Sequence, residues 1–405
     1  MKSRNKPTLT KRKEAGRKIT SLIAAREVLT RHIDRAIERE LWGRSAGRCE
    51  FAGCNKELWK SSVTQEQVNL SQKAHIYSFS TDGPRGNRGV AKKNLNSISN
   101  LLLACHGCHQ KIDKNKDGGR YSVELLQQWK AQHERRIEIV TGIDPSKKSH
   151  VVLYGANINK HSSPIRFDNT AHALFPRHYP ADDRGIVLGT VNNSFSDKTP
   201  KFWEAEATHL TSMFTRQVRE RLALGEISHL SIFALAPQPL LVLLGSLMNN
   251  ITNAEVYQRH REPQTWVWPE KAPKVAFKVE EPASYTAPPA LVLALSAPVT
   301  DERITTAMGG EAAIWRVTVQ RPGMDLIKSR QHLSALRSML RPLFDRIALR
   351  HGRNATLHVF PVVGVSAAVE LGRTRMPRTH GPWQIYDEVA ELGGFVPALS
   401  ISPGD

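Results

Sequence analysis

Seven residues in the first third of the chain have the types and spacing to do chemistry. Cys49 and Cys54 enclose four residues around a Gly53 turn, and Cys105 and Cys108 enclose two. Two such chelating turns, brought together, supply four thiolates in a tetrahedron, the arrangement of a structural zinc site. Four unrelated buried thiols are the plainer alternative. His75 lies in the apolar run Ala74-His75-Ile76-Tyr77, where a histidine is either a packed core residue or a catalyst. His109 follows the last cysteine directly, and Asn100 stands nine residues before it.

The elements that must position these residues can be read around them. Residues 1–17 are basic and polar and are expected to be disordered. From Lys18 to Trp42 apolar residues recur at helical spacing, predicting an amphipathic helix that ends at Gly43. A short strand from Ala74 to Phe79 would carry His75, followed by a Gly-rich basic loop over Ser80–Gly89. A helix is expected to start near His109, and another to span Tyr121–Val140. Residues 18–143 thus read as one domain, 144–149 as a linker with proline and charge, and 150–405 as a second domain.

Bulk properties agree with that division. At 405 residues the chain is too long for one ordinary core. Four cysteines, all within residues 49–108, do not make a disulfide scaffold. No apolar run approaches a membrane span, and the N-terminus lacks the apolar block of a signal peptide, so a cytoplasmic protein without a membrane partner is expected. Residues 1–148 hold 30 Lys and Arg against 15 Asp and Glu, while residues 149–405 hold 27 against 23. The positive field belongs to the first third, where it would attract DNA or RNA. A basic solubilising tail is the alternative.

Past the linker, apolar runs of the buried parallel kind appear at Val151–Tyr154, Ile186–Val191, Leu230–Leu235, Leu291–Leu295, Ile314–Val319 and Leu357–Val363. Helical patterns alternate with them, notably over Glu204–Leu224 and Asp325–Arg350, so an α/β domain with a largely parallel sheet is expected. Gly225 and Gly352, Phe233 and Phe360, Val242 and Val369, Leu244 and Leu371, and Gly245 and Gly372 are all offset by 127 residues. This set implies two α/β halves fused in tandem, with a ligand crevice where their strand C-termini meet. Loops after those termini offer Asn157, Gln238, Pro239, Ser296, Gly364 and Ser366. Trp203 could stack a base, and Arg373 or Arg375 could pair a phosphate. No Walker A or GxGxxG fingerprint stands in this domain.

The ordered set of strand histidine, Asn100 and Cys105-x-x-Cys108-His109 resembles the signature of HNH (ββα-metal) nucleases. With the duplicated α/β domain behind it, and the segment Ala74–Gly86, the chain resembles the HNH–SAVED effector nucleases of cyclic-oligonucleotide anti-phage signalling (CBASS). The resemblance implies an α+β nuclease domain with a structural zinc, followed by a SAVED domain of two CARF-like Rossmannoid halves. It implies His75 as general base, Asn100 orienting that histidine or holding the loop, and His109 as ligand of a catalytic Mg²⁺ or Mn²⁺. Ala74 occupies a position where many members carry a further ligand, so water, phosphate, Asp82, His106 or Asp113 would complete the shell. Arg85, Arg88, Lys92 and Lys93 would contact the substrate backbone with little sequence specificity. The implied partners are double-stranded DNA, a cyclic di- or trinucleotide from a nucleotidyltransferase, and further copies of the chain, as a dimer that becomes a tetramer when activated. A restriction-type nuclease reading modified DNA, or a zinc-stapled nucleic-acid binder without catalysis, are the competing readings.

Overall fold

The computed structural model describes residues 31–87, 89–114, 120–158, 165–189, 199–389 and 394–402. The chain divides into two compact units, Met1–Gly142 and Ile143–Asp405. The tail over 1–17, the first part of the helix predicted from Lys18, and Arg88 lie outside the described residues.

In the first unit, helix α1 (Arg35–Ser45) begins where the Asp34 side chain accepts the Ala36 N–H. Residues 32–34 are not helical, so the predicted helix does not run unbroken to Trp42. Asp34 caps a helix start instead of riding inside one. Strand β1 (Ser71–His75) pairs antiparallel with β2 (Leu101–Cys105), placing Ala74 opposite Leu102 and His75 opposite Leu101. Helix α2 (His106–Asp113) follows β2 directly. The strand expected over Ala74–Phe79 starts earlier and stops at His75. Beyond it, the Asn100 side chain takes both the N–H and the C=O of Tyr77, groups that a longer ladder would have used. Helix α3 (Val123–Thr141) is capped by Ser122, whose hydroxyl accepts the Leu125 N–H. Ile33, Leu41, Leu58, Ile76, Leu101–Ala104 and Ile112 form a small core that includes Cys49 and Cys108. Phe51, Tyr121 and Trp129 pack edge to face beside it, with centroids 4.8 to 5.9 Å apart.

The second unit holds two sheets. Its first half contains β3 (Lys148–Gly155), β4 (Tyr179–Pro180), β5 (Ile186–Val187), α4 (Pro200–Phe214), β6 (Leu230–Leu235), α5 (Gln238–Leu247) and β7 (Ala254–Val256). The strand order is β4-β3-β6-β7, with β5 also on β3, and every pairing is parallel. The second half contains β8 (Phe277–Glu280), β9 (Pro289–Ala294), α6 (Asp301–Met308), β10 (Ala313–Val319), α7 (Arg330–His351), β11 (Leu357–Val362), α8 (Val365–Thr374), β12 (Trp383–Val389) and β13 (Gly394–Ile401). Its order is β13-β12-β11-β9-β10-β8, parallel across the central four with one antiparallel strand at each edge.

The predicted linker ends too late. Lys148 and Ser149 already belong to β3 and pair with Tyr179 and Pro180. Ser149 is fully buried because its hydroxyl is bonded to Ser231 and His229. A polar strand start satisfied in this way looks like linker in sequence.

The repeat becomes contact geometry. Helices α5 and α8 start at Gln238 and Val365, 127 residues apart, and cross through their two glycines. A Cβ on Gly245 would sit 1.9 Å from the Val369 carbonyl oxygen, and one on Gly372 would sit 1.9 Å from the Val242 carbonyl oxygen. The two contacts are images of each other under the 127-residue offset, so a pseudo-two-fold axis passes between the helices. Backbone cannot yield as a side-chain tip can. Gly245→Ala and Gly372→Ala should each cost about 3 kcal/mol or more of the second unit's stability, read as a fall in its denaturant midpoint. An unchanged midpoint would remove the crossing as a constraint.

Candidate functional site

Four sulfurs converge at the foot of the first unit's hairpin. The Cys49, Cys54, Cys105 and Cys108 ligand atoms all lie within 4.8 Å of one another, and Sγ of Cys54 and Sγ of Cys105 are 3.9 Å apart. Zinc–sulfur bonds near 2.3 Å put the sulfurs of a tetrahedral site roughly 3.8 Å apart, so the donor set fits that ion. The thiols are not paired in disulfides. The Cys105 backbone N–H donates to Cys49 Sγ at 3.3 Å, as expected around a thiolate. Burial pushes the Cys49 thiol up to about 12 and raises Cys108 as well. At Cys105 burial acts in the same direction, but bonds from the Cys108 backbone and the neighbouring thiols outweigh it and lower the pKa. Four such groups can all ionise when a divalent cation lies among them.

The second constellation lies at the other end of β1 and along α2. His75 closes β1, and its Nε2 is 3.0 Å from Asn96 Oδ1. On α2, His109 Nε2 and Asp113 Oδ2 are 3.4 Å apart, one helical turn between them. Arg85 joins the two elements. Its guanidinium donates to the carbonyls of Ile76 at 2.6 Å, Ile112 at 2.9 Å and His75 at 3.1 Å, and to Asp113 Oδ1 at 3.2 Å. One arginine nitrogen therefore touches both the histidine strand and the acid beside His109.

Several expectations change here. Arg85 cannot be a free DNA contact: its side chain is 3% exposed and committed to these four partners. Lys92 and Lys93 stay exposed on a short turn over Lys92–Asn94. Asn100 does not orient His75. It is buried and holds the loop through Tyr77 and the Leu95 carbonyl. The residue that meets His75 is Asn96, which the sequence reading passed over because it stands outside the motif spacing. Ala74 is buried and offers no ligand. Of the side chains considered to complete a shell around His109, Asp113 is adjacent. Asp82 and His106 join no group: among the described residues only the four cysteines bring three or more such ligand atoms together.

In the second unit, several ligand-loop residues do assemble. The first residue of α5, Gln238, donates through Nε2 to the Val363 carbonyl at 2.8 Å, just before the N-terminus of α8. Ser366 donates through its backbone N–H at 3.2 Å and its hydroxyl at 2.6 Å to Gln258 Oε1, and a Cβ on Gly364 would touch the same Gln258 amide. Ser296 bonds the Val362 carbonyl from its backbone, Pro239 is buried in the first turn of α5, and Asn157 follows Ala156, which bonds Leu235. The loops after β3, β6, β9 and β11 thus lie at the strand C-termini, and two helix N-termini meet between them. Gln258 is the participant that sequence reasoning missed.

Three other residues do not belong there. Trp203 is 4% exposed in the core beneath α4, stacked edge-on to Phe202, so it cannot receive a base. Arg373 donates to the carbonyls of Ile251, Thr252 and Ala254, beyond the far end of α5. Arg375 is 1% exposed, over the Trp383 ring and donating to the Gly381 carbonyl. Only Arg373 has partners distant in sequence; Trp203 and Arg375 are instead buried beside near neighbours, Phe202 and Gly381.

The second unit is an α/β domain of two tandem, largely parallel sheets with a shared helix crossing. Residues 210–401 match the SAVED family, described as the SMODS-associated and fused to various effectors sensor domain. This unit carries a SAVED domain, behind an N-terminal unit with a four-cysteine cluster. Solved structures with a similar course include the Acinetobacter baumannii Cap4 SAVED/CARF-domain containing receptor with the cyclic trinucleotide 2′3′3′-cAAA, at 12% identity and TM-score 0.42, covering 69% of this chain and 56% of that one. The same receptor with 3′3′3′-cAAA matches at 14% identity and TM-score 0.39, covering 70% and 56%. The Moraxella osloensis Cap4 SAVED/CARF-domain containing receptor matches at 11% identity and TM-score 0.35, covering 69% and 61%. The chain thus spans less than two thirds of each of those proteins. No curated protein matches it. Among the described residues no helix is long and apolar enough to cross a membrane.

Proposed function

We propose that this protein is a cyclic-oligonucleotide-activated, metal-dependent endonuclease of the HNH type, acting on double-stranded DNA as an effector in CBASS. The observation that carries the reading is the ββα arrangement of β1, β2 and α2, which sets His75 and the His109–Asp113 pair around one Arg85 guanidinium. The SAVED match supports a sensor joined to that effector.

In this reading His75 accepts the proton of the attacking water, and its place at the end of a paired strand fixes its direction. His109 and Asp113 would hold a Mg²⁺ or Mn²⁺ ion, which supplies charge stabilisation at the phosphate and leaving oxygen. Their 3.4 Å separation suits two ligands of one ion, and such ions commonly take the rest of their shell from water and phosphate. Arg85 keeps α2 in register with His75, and Lys92 and Lys93 are free to meet the DNA backbone.

The activator is a cyclic di- or trinucleotide held where the N-termini of α5 and α8 meet, around Gln238, Gln258, Gly364 and Ser366. Helix N-termini favour phosphate. The ligand must bind the active assembly, a dimer or tetramer of this chain, more tightly than the idle form. The test is plasmid digestion by purified protein with Mg²⁺ and a panel of cyclic oligonucleotides that includes 2′3′3′-cAAA and 3′3′3′-cAAA. Cleavage should appear with one of them alone; equally fast cleavage without any of them would end the sensor reading.

A further inference from the structure

We infer that Asn96 is the positioning residue of the proposed general base. Its amide fixes His75 as the Nε2–H tautomer, and the backbone carbonyl of His32 fixes the amide. This rests on the reading of His75 as a base, but its evidence is separate.

The argument is one of donors and acceptors. Asn96 Nδ2 is 3.0 Å from the His32 carbonyl oxygen, and Asn96 Oδ1 is 3.0 Å from His75 Nε2. A carbonyl only accepts, so the amide must present its NH₂ group to His32. Its oxygen then faces the imidazole and also only accepts, so Nε2 must carry the proton. A neutral His75 is left with its lone pair on Nδ1, and that nitrogen is the one able to take a proton from water. The opposite rotation would set the amide oxygen against the His32 carbonyl oxygen.

A second contact runs through the same segment. The Arg31 guanidinium lies 5.8 Å from the centroid of the Phe79 ring, and Phe79 packs edge to face on His75 at 5.8 Å. Residues 31 and 32, just ahead of the Asp34 cap of α1, therefore hold both neighbours of the catalytic ring. The histidine's tautomer is set by chain that lies outside the motif and some 40 residues before it in sequence.

The test uses full-length protein with ¹⁵N-labelled histidine. Long-range ¹H–¹⁵N spectra should show wild-type His75 as Nε2–H, a readout that needs neither activator nor DNA. Asn96→Leu keeps the size but removes the acceptor, and should give mixed tautomers with kcat lowered about tenfold or more and KM for plasmid unchanged. Asn96→Asp keeps an acceptor facing Nε2 but loses the donor to the His32 carbonyl, and should restore the Nε2–H signal more fully than kcat. Wild-type His75 found as Nδ1–H, or a single Nε2–H tautomer persisting in Asn96→Leu, overturns the inference even if the variant is inactive. Full cleavage by His75→Ala would instead overturn the general-base reading, leaving the tautomer assignment to the spectra alone.

Discussion

Activated His75→Ala protein should cleave plasmid about 10³-fold more slowly than wild type, with the affinity for its cyclic oligonucleotide unchanged. A positioned general base is worth about 10²–10⁴ in rate. The loss should fall on kcat, because the imidazole acts on water and the DNA contacts assigned to Lys92 and Lys93 remain. Folding should survive, since the pairing of β1 with β2 uses backbone groups and the buried neighbour Ala74 is untouched. Circular dichroism and ligand binding provide that control. Wild-type cleavage rates in His75→Ala would remove the proposed base and leave the activation of water to another group.

Removing zinc should have the other large effect. The purified chain should carry one zinc ion, and stripping it, or replacing Cys108 with serine, should abolish the cooperative unfolding transition of the first unit. Structural zinc contributes roughly 10–16 kcal/mol of apparent binding free energy, comparable with or larger than the ~5–15 kcal/mol stability of a whole domain. Here the dependence should be strong because Cys49 and Cys108 are themselves core residues, packed with Ala104, Ile112 and Leu126. Without a cation, the burial that raises their pKa values leaves a cluster of protonated thiols with only weak sulfur hydrogen bonds across it. The second unit, whose core contains no cysteine, should keep its transition. Calorimetry before and after chelation decides the matter: a first-unit transition unmoved by complete loss of zinc would refute a structural role.

The two effects meet on one short element. Cys105 ends β2 while Cys108 and His109 sit on α2, so the metal staple holds the helix that carries His109 and Asp113. Loss of zinc should therefore abolish cleavage as well, whereas loss of His75 should leave zinc content and stability unchanged. That asymmetry separates scaffold from chemistry with two measurements on each variant.

Much of this was legible in the chain. Cysteine spacing determined the four-sulfur cluster, because a chelating turn is a local feature. Continuous apolar runs determined β6, β9 and β11, because strands buried on both faces need no alternation, whereas β10 alternates buried and half-buried residues. The 127-residue offset determined that two halves share a plan, and the α5–α8 crossing through Gly245 and Gly372 follows it. What tertiary structure alone decided was the employment of polar side chains. Arg85, Arg373 and Arg375 have the same chemistry whether they meet a phosphate or a buried carbonyl, and their actual partners lie up to 122 residues away. Asn96 and Asn100 have the same side chain and only Asn100 stands at the motif spacing, yet Asn96 meets His75 and Asn100 ties a loop. The β12–β13 pair, at an antiparallel edge, carried too little apolar signal to be read as strand. Residue type and local spacing fix which chemistry is possible; long-range hydrogen-bond partners decide which residue performs it.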